Sequence, residues 1–118
     1  MKFGFWGVTG VKEDYSGFTF MADDDGRMNI SLAEIPYGRY KLYADIENEP
    51  NGADISLWQR QTQISDWLSV NSPNREAKKH VYLCDITVGE FKNSISIVFK
   101  TTGDHNKLML SRLIFEKQ

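Results

Sequence analysis

The 118 residues suit one domain with one core, and 41% hydrophobic with 25% charged residues excludes a disordered chain. A net charge of −2 with no Lys/Arg cluster excludes an electrostatic nucleic-acid binder, and no apolar run reaches membrane-spanning length. The single Cys84 rules out an internal disulfide and, set in the apolar run 81–86, reads as a buried thiol.

Alternation of period two dominates the chain, which predicts an all-β fold. Residues 3–8 alternate aromatic and small side chains and read as a first strand, too short and glycine-broken for a secretory leader. Residues 16–21 form a second around Phe18 and Phe20. Ala22-Asp23-Asp24-Asp25-Gly26 reads as a turn. Residues 28–32 put Met28, Ile30 and Leu32 on one face, and Ile35-Pro36-Tyr37-Gly38 reads as a turn.

Residues 39–47 carry the clearest alternation: Tyr40, Leu42, Ala44 and Ile46 face one way, and Arg39, Lys41, Tyr43, Asp45 and Glu47 the other. A polar loop follows at 48–52. Residues 54–62 form the next strand, with Ile55, Leu57 and Gln59 opposite Ser56, Trp58 and Arg60. Residues 64–70 read equally as strand or short helical turn. A long polar loop spans 71–79. The strands 80–88, 94–101 and 108–116 complete the set, separated by 89–93 and 103–107. Eight or nine strands at this spacing predict one antiparallel two-sheet β-sandwich over residues 1–118.

No nucleophile elbow, HExxH or CxxC spacing appears, so the expectation is a protein without catalysis. Asp23-Asp24-Asp25-Gly26 lacks the spacing and closing Glu of a calcium loop and reads as a solvated turn; no metal or other cofactor is expected, a structural calcium being the open alternative. Aromatics make up 13% of residues. A sugar presents an apolar C–H face ringed by hydroxyls, so its site needs an exposed ring flanked by polar side chains. Trp58, Gln59 and Arg60 supply that mixture in one strand; Tyr43 lies on the outward face of the preceding strand, and Trp67 follows shortly after. Tyr37 is either an exposed platform or a plug over the core. Arg60 also suits a carboxylate or sulfate on an acidic glycan, because a guanidinium fork matches such groups.

Residues 25–32, then Ile35-Pro36-Tyr37-Gly38-Arg39-Tyr40-Lys41-Leu42-Tyr43, then the strands 82–88, 93–99 and 110–115, follow an order similar to that of carbohydrate-binding modules of families six and thirty-five. The resemblance covers the chain from about Asp25 onward. It implies a jelly roll of galactose-binding-like type that binds poly- or oligosaccharide without cleaving it. It further implies a place beside a parent glycan-active enzyme in a secreted bacterial protein, outside the cell or at its surface, with the signal peptide outside this chain. Members often place an Asn in the loop before the last strand against the sugar; Asn106 is the matching position, with Asp104 beside it. They also often hold a structural calcium through a Glu in an early strand, and residues 3–8 contain no acid. The alternative from another class is a docking domain, since an exposed Trp–Arg pair also marks protein–protein hot spots. A third is a small sandwich enzyme with a perturbed titratable group in a cleft.

Overall fold

The computed structural model describes residues 3–14 and 17–118, with side chains described for Phe20 and from Gly26 onward. Nine strands and no helix occur among the described residues: β1 (Phe3–Asp14), β2 (Gly17–Ser31), β3 (Gly38–Asn48), β4 (Asp54–Gln59), β5 (Thr62–Gln63), β6 (Leu68–Ser69), β7 (Glu76–Val88), β8 (Ser94–Lys100) and β9 (Lys107–Lys117). All strand pairs are antiparallel.

Hydrogen bonding follows the order β5-β4-β8-β2-β9-β3-β7, with β1 on β2 and β6 on β4. The long strand β2 divides this path into two sheets. Its second half, Arg27–Ser31, pairs with β8, and its first half, Phe18–Met21, pairs with β9. Strand β1 accompanies it through the crossing: Trp6 pairs with Arg27 and Val8 with Ala22, so residues 23–26 stand opposite Gly7 alone. Bulges of this kind let one strand serve two sheets. The expected turn at 22–26 is therefore this irregular stretch inside β2, and the separate strands expected at 16–21 and 28–32 are its two halves.

The inward faces follow the alternation. Met28, Ile30, Ile55, Leu57, Ile95, Ile97 and Phe99 of the first sheet meet Tyr40, Leu42, Ala44, Ile46, Cys84, Ile86, Leu108 and Leu110 of the second. Each large aliphatic or aromatic side chain buried in this way stabilises the fold by about 1.5–3 kcal/mol. Tyr40 is buried with its hydroxyl donating to the Pro36 carbonyl at 2.6 Å, so its polar tip is satisfied.

Two further expectations are corrected, and one open reading is resolved. The strand expected over 54–62 ends at Gln59; Arg60 turns the chain at φ 55°, and Thr62 and Gln63 pair back on Gln59 and Trp58. The segment 64–70 contains only the two-residue strand β6 and no helical turn. The polar loop expected over 71–79 stops short, because β7 begins at Glu76 and pairs with Asn48 despite its charged, exposed composition. An edge strand needs only its backbone to extend a sheet, and periodicity does not report such a segment.

Candidate functional site

The residues singled out from sequence fall on different parts of the sandwich. Trp58 lies on the outer face of β4, half-buried, with its indole N–H donating to Ser56 Oγ at 2.9 Å. Gln59 faces the interior as alternation requires. It is buried, and its amide donates to the Thr87 carbonyl at 3.0 Å, tying β4 to β7. That removes Gln59 from any exposed contact face. Trp67 is 44% exposed and lies beside Lys100, whose Nζ sits 5.7 Å from the ring centroid.

Asp104 and Asn106 are in the 101–107 turn, where the Asp104 carbonyl accepts from Asn51 Nδ2 at 3.2 Å and the Asn106 backbone N–H donates to the Asn51 carbonyl at 2.9 Å. Tyr37 and Arg60 lie toward the opposite end, where β3 begins and β4 stops. Trp6 is outside the residues whose side chains are described, as are Asp23, Asp24 and Asp25. The expected members thus do not converge on one patch.

A groove of about 530 Å³ forms instead at the open edge of the sandwich. One wall is Gln63, Ile64, Ser65 and Asp66; the other is Tyr82, Leu83, Cys84 and Asp85 of β7. Two other cavities, of about 500 and 410 Å³, are lined around Asp45 and Lys78 and around Arg39 and Thr87, and neither contains an exposed aromatic ring.

The first wall is held firmly. Ser65 Oγ accepts from the Leu57 backbone N–H at 2.8 Å and donates to the Asp66 carbonyl at 3.0 Å. The Ile64 N–H donates to the Leu57 carbonyl at 2.8 Å, and Gln63 Nε2 donates to the Ser65 carbonyl at 2.7 Å. The second wall depends on a bulge. Leu42 pairs with Cys84 but Tyr43 pairs with Tyr82, leaving Leu83 as an extra residue in β7. One extra residue reverses the facing of everything before it. Simple alternation with Cys84, Ile86 and Val88 would bury Tyr82; the bulge turns it out to 51% exposure beside Tyr43. This is why sequence periodicity missed the residue.

The Tyr82 ring is fixed from several sides. Its hydroxyl donates to Asp85 Oδ1 at 2.8 Å, Lys41 Nζ lies 5.5 Å from its centroid, and Tyr43 packs edge-on at 5.7 Å. The bond to Asp85, and then the loss of solvent around the phenol, hold its pKa above the ordinary value. On the floor, burial and then Asp85 push the Cys84 thiol up to about 11, so it stays protonated and unreactive at neutral pH.

The aromatic row continues over the outer face of the second sheet. Tyr43, one of the expected residues, stacks on the His80 imidazole at 3.9 Å and 18°. His80 adopts φ 55° at a second bulge in β7, where its backbone N–H donates to Asp45 Oδ1 at 2.8 Å. Asp45 Oδ2 accepts from Arg112 Nε at 3.0 Å. The His80 amide, with Arg112 assisting, holds the Asp45 carboxyl below its ordinary range against the opposing effect of burial. Among the described residues no group of three or more His, Cys, Asp or Glu is arranged to hold a metal ion.

A family model described as "Domain of unknown function (DUF8441)" matches residues 1–118. The chain belongs to that family. No curated protein matches it. The DUF8441 description carries no activity, so the chemistry of this member must be read from its side chains: a fixed, half-exposed phenol ring, two carboxylates and an amide along an open groove.

Proposed function

We propose that this domain is a non-catalytic carbohydrate-binding module whose ligand lies in the groove between residues 63–66 and 82–85. The observation that carries the reading is the Tyr82 ring, turned outward by the Leu83 bulge and fixed by Asp85 beside a polar-walled groove. A pyranose C–H face stacks on that ring, and Asp66, Asp85 and Gln63 take its hydroxyls. Hydrogen bonds to ionised carboxylates are the stronger kind, and the pinned walls lose little entropy on binding.

The large exposed aromatics also support this reading over a docking face. Among the described residues, Tyr37 and Phe91 sit toward one end, Trp67 beside Lys100 and Tyr82 on the groove, so these four do not gather into the broad apolar patch that would mark a docking face. In this proposal the sandwich has the jelly-roll connectivity of galactose-binding-like modules. It acts outside the cell, linked to a parent glycan-active enzyme in a secreted bacterial protein, and raises that enzyme's effective concentration on its polymer.

The test is titration of the domain with a panel of neutral oligosaccharides, followed by intrinsic fluorescence and calorimetry. At least one should bind, and Tyr82→Ala should weaken it roughly ten-fold or more, the value of a lost stacking ring with its buried area. A blank across the panel, or a ligand bound equally by the Tyr82→Ala domain, would overturn the proposal.

A further inference from the structure

Arg60 is far from the role alternation suggested for it, beside Trp58 on a flat strand. It occupies the first position of the two-residue turn between β4 and β5, at φ 55°. Hairpin turns with positive φ at that position are the province of glycine, because a Cβ is strained there. A residue held in such a conformation against the local preference points toward function.

The side chain is also organised. Its Nε–H donates to the Phe91 carbonyl at 2.7 Å, and the guanidinium carbon lies 5.7 Å from the centroid of the Phe91 ring. Phe91 is 69% exposed at the tip of a turn closed by reciprocal Gly89–Lys92 backbone bonds of 3.1 and 3.0 Å. Arg27 approaches from β2, its Nη2 donating to the Arg60 carbonyl at 3.5 Å. Lys92 follows Phe91, and Glu90 is the one acid of that turn. Arg60 is exposed, its fork is held through Nε, and among the described residues none accepts a hydrogen bond from its terminal amino groups.

We infer that Arg60, seated on Phe91 with Arg27 nearby, is a second binding site that takes a carboxylate or sulfate group of an acidic glycan. A guanidinium fork accepts either group through two parallel charge-assisted hydrogen bonds, and the Phe91 ring offers an apolar surface to the sugar that carries it. The glycan as carrier rests on the sugar-binding reading above; the anion site itself does not. The groove carries Asp66 and Asp85 on its walls, with Lys41 at Asp85, whereas the charged groups around Phe91 are led by Arg60 and Arg27, so the two sites differ in charge. Gln63 of the groove lies within about 10 Å of Arg60 by chain reach, so one oligosaccharide can span both.

Arg60→Gly separates binding from bracing, because glycine suits the turn. Wild type and variant are titrated with a sulfated oligosaccharide, a carboxylated one, free sulfate and a neutral ligand of the groove, and melting temperatures are recorded. The expected result is binding of one or both acidic oligosaccharides by wild type, a loss of roughly ten-fold in Arg60→Gly, unchanged binding of the neutral ligand, and a melting temperature equal to or above wild type. Whichever acidic ligand is lost identifies the group. Phe91→Ala should weaken the same ligand without affecting the neutral one. Equal affinity of wild type and Arg60→Gly, or a lower melting temperature with loss of both ligand classes, would overturn the inference by making Arg60 inert or a brace. Failure of acidic glycans alone overturns this site and leaves the groove standing; capture of an acidic peptide in their place assigns the site to a protein and equally overturns it.

Discussion

The backbone N–H of His80 donates to Asp45 Oδ1 at 2.8 Å, across a bulge that places the imidazole flat on Tyr43. The bond satisfies an amide that the ladder leaves free and holds His80 at φ 55°. Asp45 does this as a carboxylate, and the contact lowers its pKa below the ordinary value of about 3.9. The unfolded chain therefore takes up this proton first. The stability contributed by Asp45 is present above the ordinary pKa and is lost as pH falls through the lowered folded value. Asp45→Asn should be less stable than wild type at neutral pH, with a shallower loss on acidification. Denaturant midpoints between about pH 6 and pH 3 check this; parallel curves for the two proteins would remove Asp45 from the bulge's support.

Tyr82 gives the opposite sign. Its phenol is stabilised in the protonated form by donating to Asp85, so its folded pKa is raised. The stabilisation is present below the ordinary tyrosine pKa of about 10 and disappears as pH rises through the higher folded value. In an ultraviolet titration of the folded domain, the component absent from Tyr82→Phe should lie above the ordinary tyrosine value. Asp85→Ala should bring it back toward the ordinary value. A Tyr82 component at or below the ordinary tyrosine value in wild type would show that the ring is not fixed by Asp85.

Gly52 tests the packing of the far end. A Cβ there would stand 1.9 Å from the Val70 carbonyl oxygen and 2.8 Å from the Asn71 nitrogen, both backbone atoms. Gly52→Ala must force the 49–53 loop away from residues 70–71, loosening the Glu49 N–H to Val70 carbonyl and Val70 N–H to Ala53 carbonyl bonds of 3.1 and 3.0 Å. The expected cost is at least about 2 kcal/mol, a fall in melting temperature of roughly 8 °C. Gly89→Ala, where a Cβ meets nothing within 4 Å, is the control and should change little. Equal melting temperatures for both variants would show that the loop yields easily.

Much of the fold was legible because burial selects period two. The inward Tyr40, Leu42, Ala44 and Ile46 of β3, and the inward Ile55, Leu57 and Gln59 of β4, follow directly from alternation. The charged start of β7 was not legible, because residues 76–80 are exposed and pair only through their backbone. The groove was not legible, because none of the candidate site residues singled out from sequence lines it. Tyr43 was identified on an outward face and borders the aromatic row. Trp58, Trp67, Asn106 and Asp104 are not among the residues that line the groove, although Trp58 pairs with Gln63 and Trp67 follows Asp66.

The sequence by itself determined an all-β chain, many of its inward-facing residues and the turns at 89–93 and 103–107, since these depend on local periodicity and on residues suited to turns; the turn expected at 35–38 instead closes at 32–35, and Gly38 opens β3. Tertiary structure alone decided that β2 serves both sheets, that Leu83 is extra in β7 and that Arg60 ends β4. The physical reason is that a bulge or a sheet crossing is fixed by the partner strand. Opposite Tyr43, β7 must absorb one residue to keep both ladders bonded, and that single residue carries Tyr82 from the core to the groove.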